Sequence, residues 1–209
     1  VGMRIEHPAD FINRAQYGTF AGKLPAADYR LAYNDAATGR GVYSFCMCPG
    51  GEIVNSSSEQ GALCVNGMSY RDRGLPLSNA AIVVNVRAED FPEGPLSGIA
   101  FQREIEQRCF SLGKGGFTAP AQKAASFIKG ENTKGEISSS YGSILSSRLD
   151  TLYPDWITEP LKRGLSRFNV LIPGFSDKGI LVGAETRTSS PVRITRSEMF
   201  QSVSHPGLY

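Results

Sequence analysis

From about residue 28 to residue 90 the chain runs in short stretches of alternating apolar and polar positions, broken every few residues by Gly, Pro, Asn and Ser. Period two with that punctuation predicts β-strands over 29–33, 42–48, 52–55, 63–66 and 80–87. A strand-like MRIEH (3–7) precedes them. Between the two, Pro8 suits a first helical turn, and residues 9–16 read as a short helix with Phe11, Ile12 and Ala15 inward. Beyond the two prolines of 91–96 the period becomes helical. Phe101, Ile105, Cys109 and Leu112 form one apolar stripe, with Gln102, Arg103, Glu106 and Gln107 turned away, until Gly113 ends the helix. A shorter helix is predicted over 121–128, and the polar stretch 130–140 has little to bury, so it reads as an exposed loop. A third helix has Thr158 as its cap, Glu159 and Pro160 in its first turn, and Leu161, Leu165, Phe168 and Ile172 as its stripe, ended by Pro173-Gly174. From Gly179 period two returns, giving a strand, a turn and a second strand across 180–196.

This order, β then helical then β, predicts an α+β fold: an antiparallel sheet or small barrel built from both ends of the chain, with a helical subdomain inserted between. The β-subdomain comprises 1–92 and 178–209, and the helical subdomain 93–177. No internal repeat is visible. The absence of an initiator Met before Val1, and the stop just after a Pro-Gly pair, read as one domain excised from a longer protein.

Charge changes the picture by exclusion. Lys and Arg number 22 against 20 Asp and Glu, for a net +2, and no run of five like charges occurs. Neither nucleic acid nor an anionic membrane is therefore an expected partner. No apolar run approaches a membrane span and no signal peptide is apparent, which predicts a cytoplasmic protein. Four cysteines are too few for a disulfide-stapled scaffold, so reduced thiols are expected.

The segment most suggestive of chemistry is VYSFCMCPGG (42–51). In an unbroken strand Cys46 and Cys48 share one face with Val42 and Ser44, presented outward, while Tyr43, Phe45 and Met47 share the other, taken as core. The pair is open to four readings: a redox thiol couple, part of a metal site, a tight backbone turn approaching a ligand, or small buried thiols packed in a strand. A metal site lacks ligands, since only Cys64, His7 and His205 remain, and the helix start that usually activates a redox couple is missing. Asn66-Gly67-Met68-Ser69 and the Pro-Gly-Gly turn both offer bare backbone for close approach, as a plain hairpin would. In ETRTSSPVRI (185–194) the strand period puts Glu185 and Arg187 on one face. Arg187 with Thr188, Ser189 and Ser190 would make an anion- or carbonyl-recognising group, or Glu185 and Arg187 a solvated ion pair. No hydrolytic triad, dinucleotide fingerprint or P-loop is present. No residue is assigned as catalytic and none as a metal ligand.

Three motifs in order, SFCMCPGG (44–51), VNGMSY (65–70) and ETRTSSPVRI (185–194), resemble the uncharacterised bacterial FAD-dependent, NAD-utilising dehydrogenases. RIEHP (4–8) and HPGLY (205–209) resemble that family's boundaries for the segment interrupting its FAD-binding domain. The resemblance implies a flavoprotein oxidoreductase whose FAD-binding domain lies outside this chain. The chain would be the inserted or C-terminal substrate domain, a cap over the flavin that is inactive alone. Cys46, Met47, Cys48, Pro49, Gly50, Gly51, Asn66 and Met68 would then line the substrate and flavin-facing pocket. Arg187, Thr188, Ser189 and Ser190 would contact the cofactor. FAD would belong to the full-length protein, with NAD(P)H as a second candidate and nothing bound to the fragment. Partners would be the chain's own FAD-binding domain and an unidentified small-molecule substrate. The rival reading is a non-catalytic barrel-type module that binds a protein or RNA.

Overall fold

The computed structural model describes residues 1–209. A seven-stranded sheet is built from β1 (Gly2–Pro8), β2 (Ala32–Asp35), β3 (Arg40–Cys48), β6 (Leu77–Val84), β7 (Ala119–Lys123), β8 (Ile144–Ser146) and β9 (Ile180–Glu185). Its spatial order is β2-β3-β6-β1-β9-β7-β8. Only β7 and β8 pair in parallel. A separate hairpin joins β4 (Gly51–Asn55) to β5 (Val65–Ser69). The sheet is open, with β2 and β8 as edges, so the mixed α+β expectation stands in its open-sheet form and a closed barrel is ruled out.

The first strand of the chain lies at the middle of this sheet, between β6 and β9, and is buried almost throughout. Alternation decides what each face carries. Met3, Ile5 and His7 join Ile82, Val84, Val42 and Leu181 against α1 (Ala9–Tyr17), α4 (Asp155–Leu171) and α5 (Phe175–Lys178). On α4, Gly164 makes room for Val42: a Cβ there would lie 2.6 Å from Val42 Cγ1. The opposite face carries Arg4, Glu6, Asn79 and Ala81, and is covered by the β4–β5 hairpin and by α2 (Ser97–Leu112). A sheet buried on both faces needs polar partners on one of them, and these residues supply that set.

The helical stripes fall where the period puts them. Leu161, Leu165 and Phe168 are fully buried on α4, with Ile172 just beyond its end, and Ile105 and Cys109 are buried on α2. Other elements differ. Helix α4 opens at Asp155 after Pro154, so Thr158 lies inside it and bonds back to the Tyr153 carbonyl instead of capping. Ala15 is exposed on α1. Residues 121–128 divide into the end of β7 and α3 (Ala124–Lys129), so the stretch 93–177 contributes strands to the sheet as well as helices. Beyond Glu185 the second strand does not form, and 187–209 holds one isolated bridge between Arg196 and Ser202. No helix is long and apolar enough to cross a membrane.

Candidate functional site

The site grows from β3. Up to Phe45, which faces Ala81 on β6, the strand keeps register; Cys48 then faces Asn79, so three residues of β3 span two of β6. The extra residue is a β-bulge, with Cys46 at φ 43°. The bulge overturns the expected face assignment. Val42, expected to face outward, is core, and Phe45, expected to be core, is 37% exposed. Cys46 is exposed, whereas Cys48 turns onto the polar face of the sheet.

There it meets Arg4, whose guanidinium is wholly buried. Nε and Nη2 donate to Asn79 Oδ1 at 2.9 and 2.6 Å, and Nη1 donates to Glu185 Oε2 at 3.0 Å. Nη2 also donates to the Cys46 carbonyl at 2.8 Å and lies 3.4 Å from Cys48 Sγ. Gly67 of the hairpin closes the cage: a Cβ there would lie 2.0 Å from Arg4 Nη2. Burial pushes the Glu185 carboxyl up, and Arg4 opposes that shift. For Cys48 too, burial raises the thiol and the adjacent Arg4 works against it.

The Pro-Gly-Gly turn is held from within. Gly50 N–H donates to Ser78 Oγ at 2.9 Å, and Ser69 Oγ donates to the Pro49 carbonyl at 2.8 Å. Gly50 has φ 47° and a Cβ there would lie 1.8 Å from the Arg73 carbonyl oxygen, so only glycine fits. Pro49, Gly50 and Gly51 are buried and serve this packing. With Gly67 turned to the sheet, Asn66 and Met68 point to the other side of the hairpin, away from the bulge.

Two clefts flank β3. One, of about 560 Å³, is lined by Cys46, Met47, Phe45 and Tyr43 on one side and by residues 28–32 on the other. Tyr29 lines it too, and its buried hydroxyl has no hydrogen-bond partner. The second cleft, of about 340 Å³, is lined by Thr186, Thr188, Ser189, Ser190, Phe91, Phe101 and again Tyr43. Tyr43 is thus common to both. The two sets of residues singled out in the sequence lie on either side of it, tied underneath by the Arg4–Glu185 pair.

Arg187 is the exception. Its fork closes on Glu106, with Nε to Oε1 at 2.9 Å and Nη2 to Oε2 at 2.7 Å, and Nη1 donates to Ser58 Oγ at 2.7 Å. Thr186 Oγ1 donates to the same carboxylate at 2.5 Å, and Gln102 Nε2 donates to the Thr186 carbonyl. The hydrogen bonds to Glu106 hold Arg187 firmly charged. Glu185 and Arg187 therefore do not pair; each has its own partner, Arg4 and Glu106. Glu106, expected on the outer side of α2, is 2% exposed.

Arg4, Asn79 and Glu106 were not among the residues the sequence marked. Their signal was present: in MRIEH two charges share one face of a strand otherwise apolar. A charged residue on a strand buried on both sides needs partners of its own. His7, on the helix-covered face, has Nε2 2.7 Å from the Phe175 carbonyl and stacks on the Phe175 ring at 4.4 Å, with Nδ1 unpaired. Burial depresses its pKa to about 4.

Over 216 aligned residues the chain is 47% identical to an uncharacterized protein of Clostridium beijerinckii. The match takes in all of this chain and 40% of the relative, so the chain spans less than half the length of that protein. Residues 1–188, which hold the bulge, the Arg4 cage and the Glu106–Arg187 pair, match the family described as FAD-dependent protein, C-terminal domain-like, and the chain belongs to that family.

Proposed function

We propose that this chain is the substrate and cap domain of an FAD-dependent oxidoreductase of the dehydrogenase type, covering the flavin of the full-length protein and shaping the substrate pocket. The observation that carries the reading is the half-open aromatic wall of β3, where Tyr43 and Phe45 stand between two clefts with the unpaired Tyr29 hydroxyl at the rim of one. That wall suits a flat, largely apolar ring system with a few polar atoms at its edge. In this reading Tyr29 donates its free hydrogen bond to the ring's edge, Tyr43 and Phe45 pack against its face, and Thr188, Ser189 and Ser190 orient the substrate from the second cleft. Arg187 acts from behind, holding Thr186 and the start of that loop through Glu106. When bound, the flavin supplies hydride transfer, and NAD(P)H is the second candidate cofactor. The start of β1 and the end of β9 are neighbours, with Gly2 opposite Glu185, which supports one unit leaving and re-entering an FAD-binding domain at one place. Free thiols at all four cysteines suit the reducing cytoplasm, where we place the full-length protein.

The test is the visible spectrum of the full-length protein. Flavin absorption that weakens in a Tyr43→Ala, Tyr29→Phe double variant supports the reading. A colourless protein that takes up no added FAD removes it.

A further inference from the structure

The Cys46–Met47–Cys48 bulge holds more than packing requires. Cys46 is exposed and sits at φ 43°, where a side chain costs about 1–2 kcal/mol and glycine would be at ease. Strain of this kind concentrates at functional positions. The fold of the bulge brings Cys48 Sγ to 3.4 Å from the Cys46 carbonyl oxygen, so the second thiol is turned back toward the first residue instead of standing along the strand. One buried guanidinium nitrogen, Arg4 Nη2, grips both, the carbonyl of Cys46 and the sulfur of Cys48. The outer thiol opens on the 560 Å³ cleft, and the inner one does not line it.

We infer that Cys46 and Cys48 form a dithiol–disulfide couple that reduces a low-molecular-weight disulfide entering the cleft beside β3. The exposed Cys46 acts first: its thiolate attacks one substrate sulfur, the substrate S–S bond breaks, and a mixed disulfide forms on Cys46. The departing thiolate takes up the proton that Cys46 gave to solvent. Cys48 then loses its proton to solvent against the Arg4 guanidinium and attacks the Cys46 sulfur, expelling the second substrate thiolate, which is protonated in turn. The substrate gains two electrons and two protons as a pair of thiols, and the protein is left with a Cys46–Cys48 disulfide. Burial of Cys48 keeps it protonated until the mixed disulfide forms, which suits a resolving thiol. Arg4 is a positioning residue: it stabilises the Cys48 thiolate as it attacks and never touches substrate.

The experiment uses the full-length protein, reduced, freed of reductant and incubated with oxidised glutathione, then quenched in acid, labelled with maleimide and digested with trypsin. Cys46, Cys48 and Cys64 fall on one peptide, 41–71. The expected product is that peptide lighter by two hydrogens and labelled only at Cys64, with two glutathiones released per protein. Cys48→Ser, whose hydroxyl can still face Arg4, should stop at glutathione on Cys46, and Cys46→Ser should form neither product. Arg4→Gln should slow decay of the mixed disulfide about tenfold, as loss of an adjacent cation does to a thiolate; if that variant does not fold, the two cysteine variants decide. Full maleimide labelling at Cys46 and Cys48 under every glutathione ratio overturns the proposal, as does a wild-type protein that halts at the mixed disulfide. The visible spectrum of the same samples reads flavin separately, so a coloured protein with inert thiols sinks the thiol couple alone.

Discussion

Replacing Gly67 by alanine drives a methyl group into the Arg4 cage. The new Cβ would lie 2.0 Å from Arg4 Nη2, 2.5 Å from Cζ and 2.3 Å from Asn79 Oδ1. Comfortable contact needs roughly 3.5–4 Å, so hairpin and guanidinium must part by about 1.5 Å. The guanidinium is pinned by Asn79, Glu185 and the Cys46 carbonyl and cannot simply swing away. If the cage yields, a buried charge-assisted hydrogen bond worth about 1.5–3 kcal/mol is lost. If the hairpin lifts, the buried Ile53 and Val65 separate from the core, within the ~1–3 kcal/mol usual for overpacking. Either route gives a loss of about 2–4 kcal/mol, and at about 2–4 °C per kcal/mol for a chain of this length the melting temperature should fall by roughly 5–15 °C. Thermal unfolding followed by circular dichroism measures it. Gly41→Ala is the control, since a Cβ there meets nothing nearer than 3.7 Å. A Gly67→Ala protein melting within about 2 °C of the parent would show that the hairpin does not rest on Arg4.

Two further outcomes follow from the same geometry. Glu106→Gln removes the charge that Arg187 grips with two hydrogen bonds and that Thr186 also meets, so the urea midpoint should drop by the equivalent of about 2–3 kcal/mol; an unchanged midpoint would mean that α2 is held on β9 by its apolar stripe alone. His7 is neutral in the fold with a pKa near 4, below its unfolded value of 6.5, so the unfolded chain binds the proton more readily. Its contribution is complete above about pH 6.5 and declines by up to about 3 kcal/mol as the pH falls to 4. His7→Gln should flatten that part of the stability–pH curve, and a slope that survives the substitution would assign it to other groups.

What was legible in the sequence follows from which residues obey a single period. The α4 stripe and the strands around residue 45 announce themselves because one face of each is consistently apolar. The faces of β3 could not be read, because a single extra residue at Cys46 reverses everything after it and nothing in FCMC marks where the slip falls. Strand β6 is buried on both faces, so LSNAAIVV shows no alternation, and Asn79 passes as an ordinary polar residue. Glu106 satisfies the helical period as an outward residue; only the approach of Arg187, 81 residues away, makes its burial tolerable. The candidate residues were legible as two clusters, but the polar layer that joins them depends on contacts between residues far apart in the chain.

The central position of β1 also sets an order of events during synthesis. Arg4 and Glu185 are 181 residues apart in the chain. At about 5–20 residues per second, a ribosome needs roughly 9–36 s to make the second after the first. For that interval the middle strand of the sheet has one of its two neighbours missing and a cation without its carboxylate. Nascent β1 must therefore stay extended and hydrated while β2 to β8 are made. The charges at Arg4 and Glu6 favour that wait, because they penalise β1 for pairing early with a strand that offers no counter-charge.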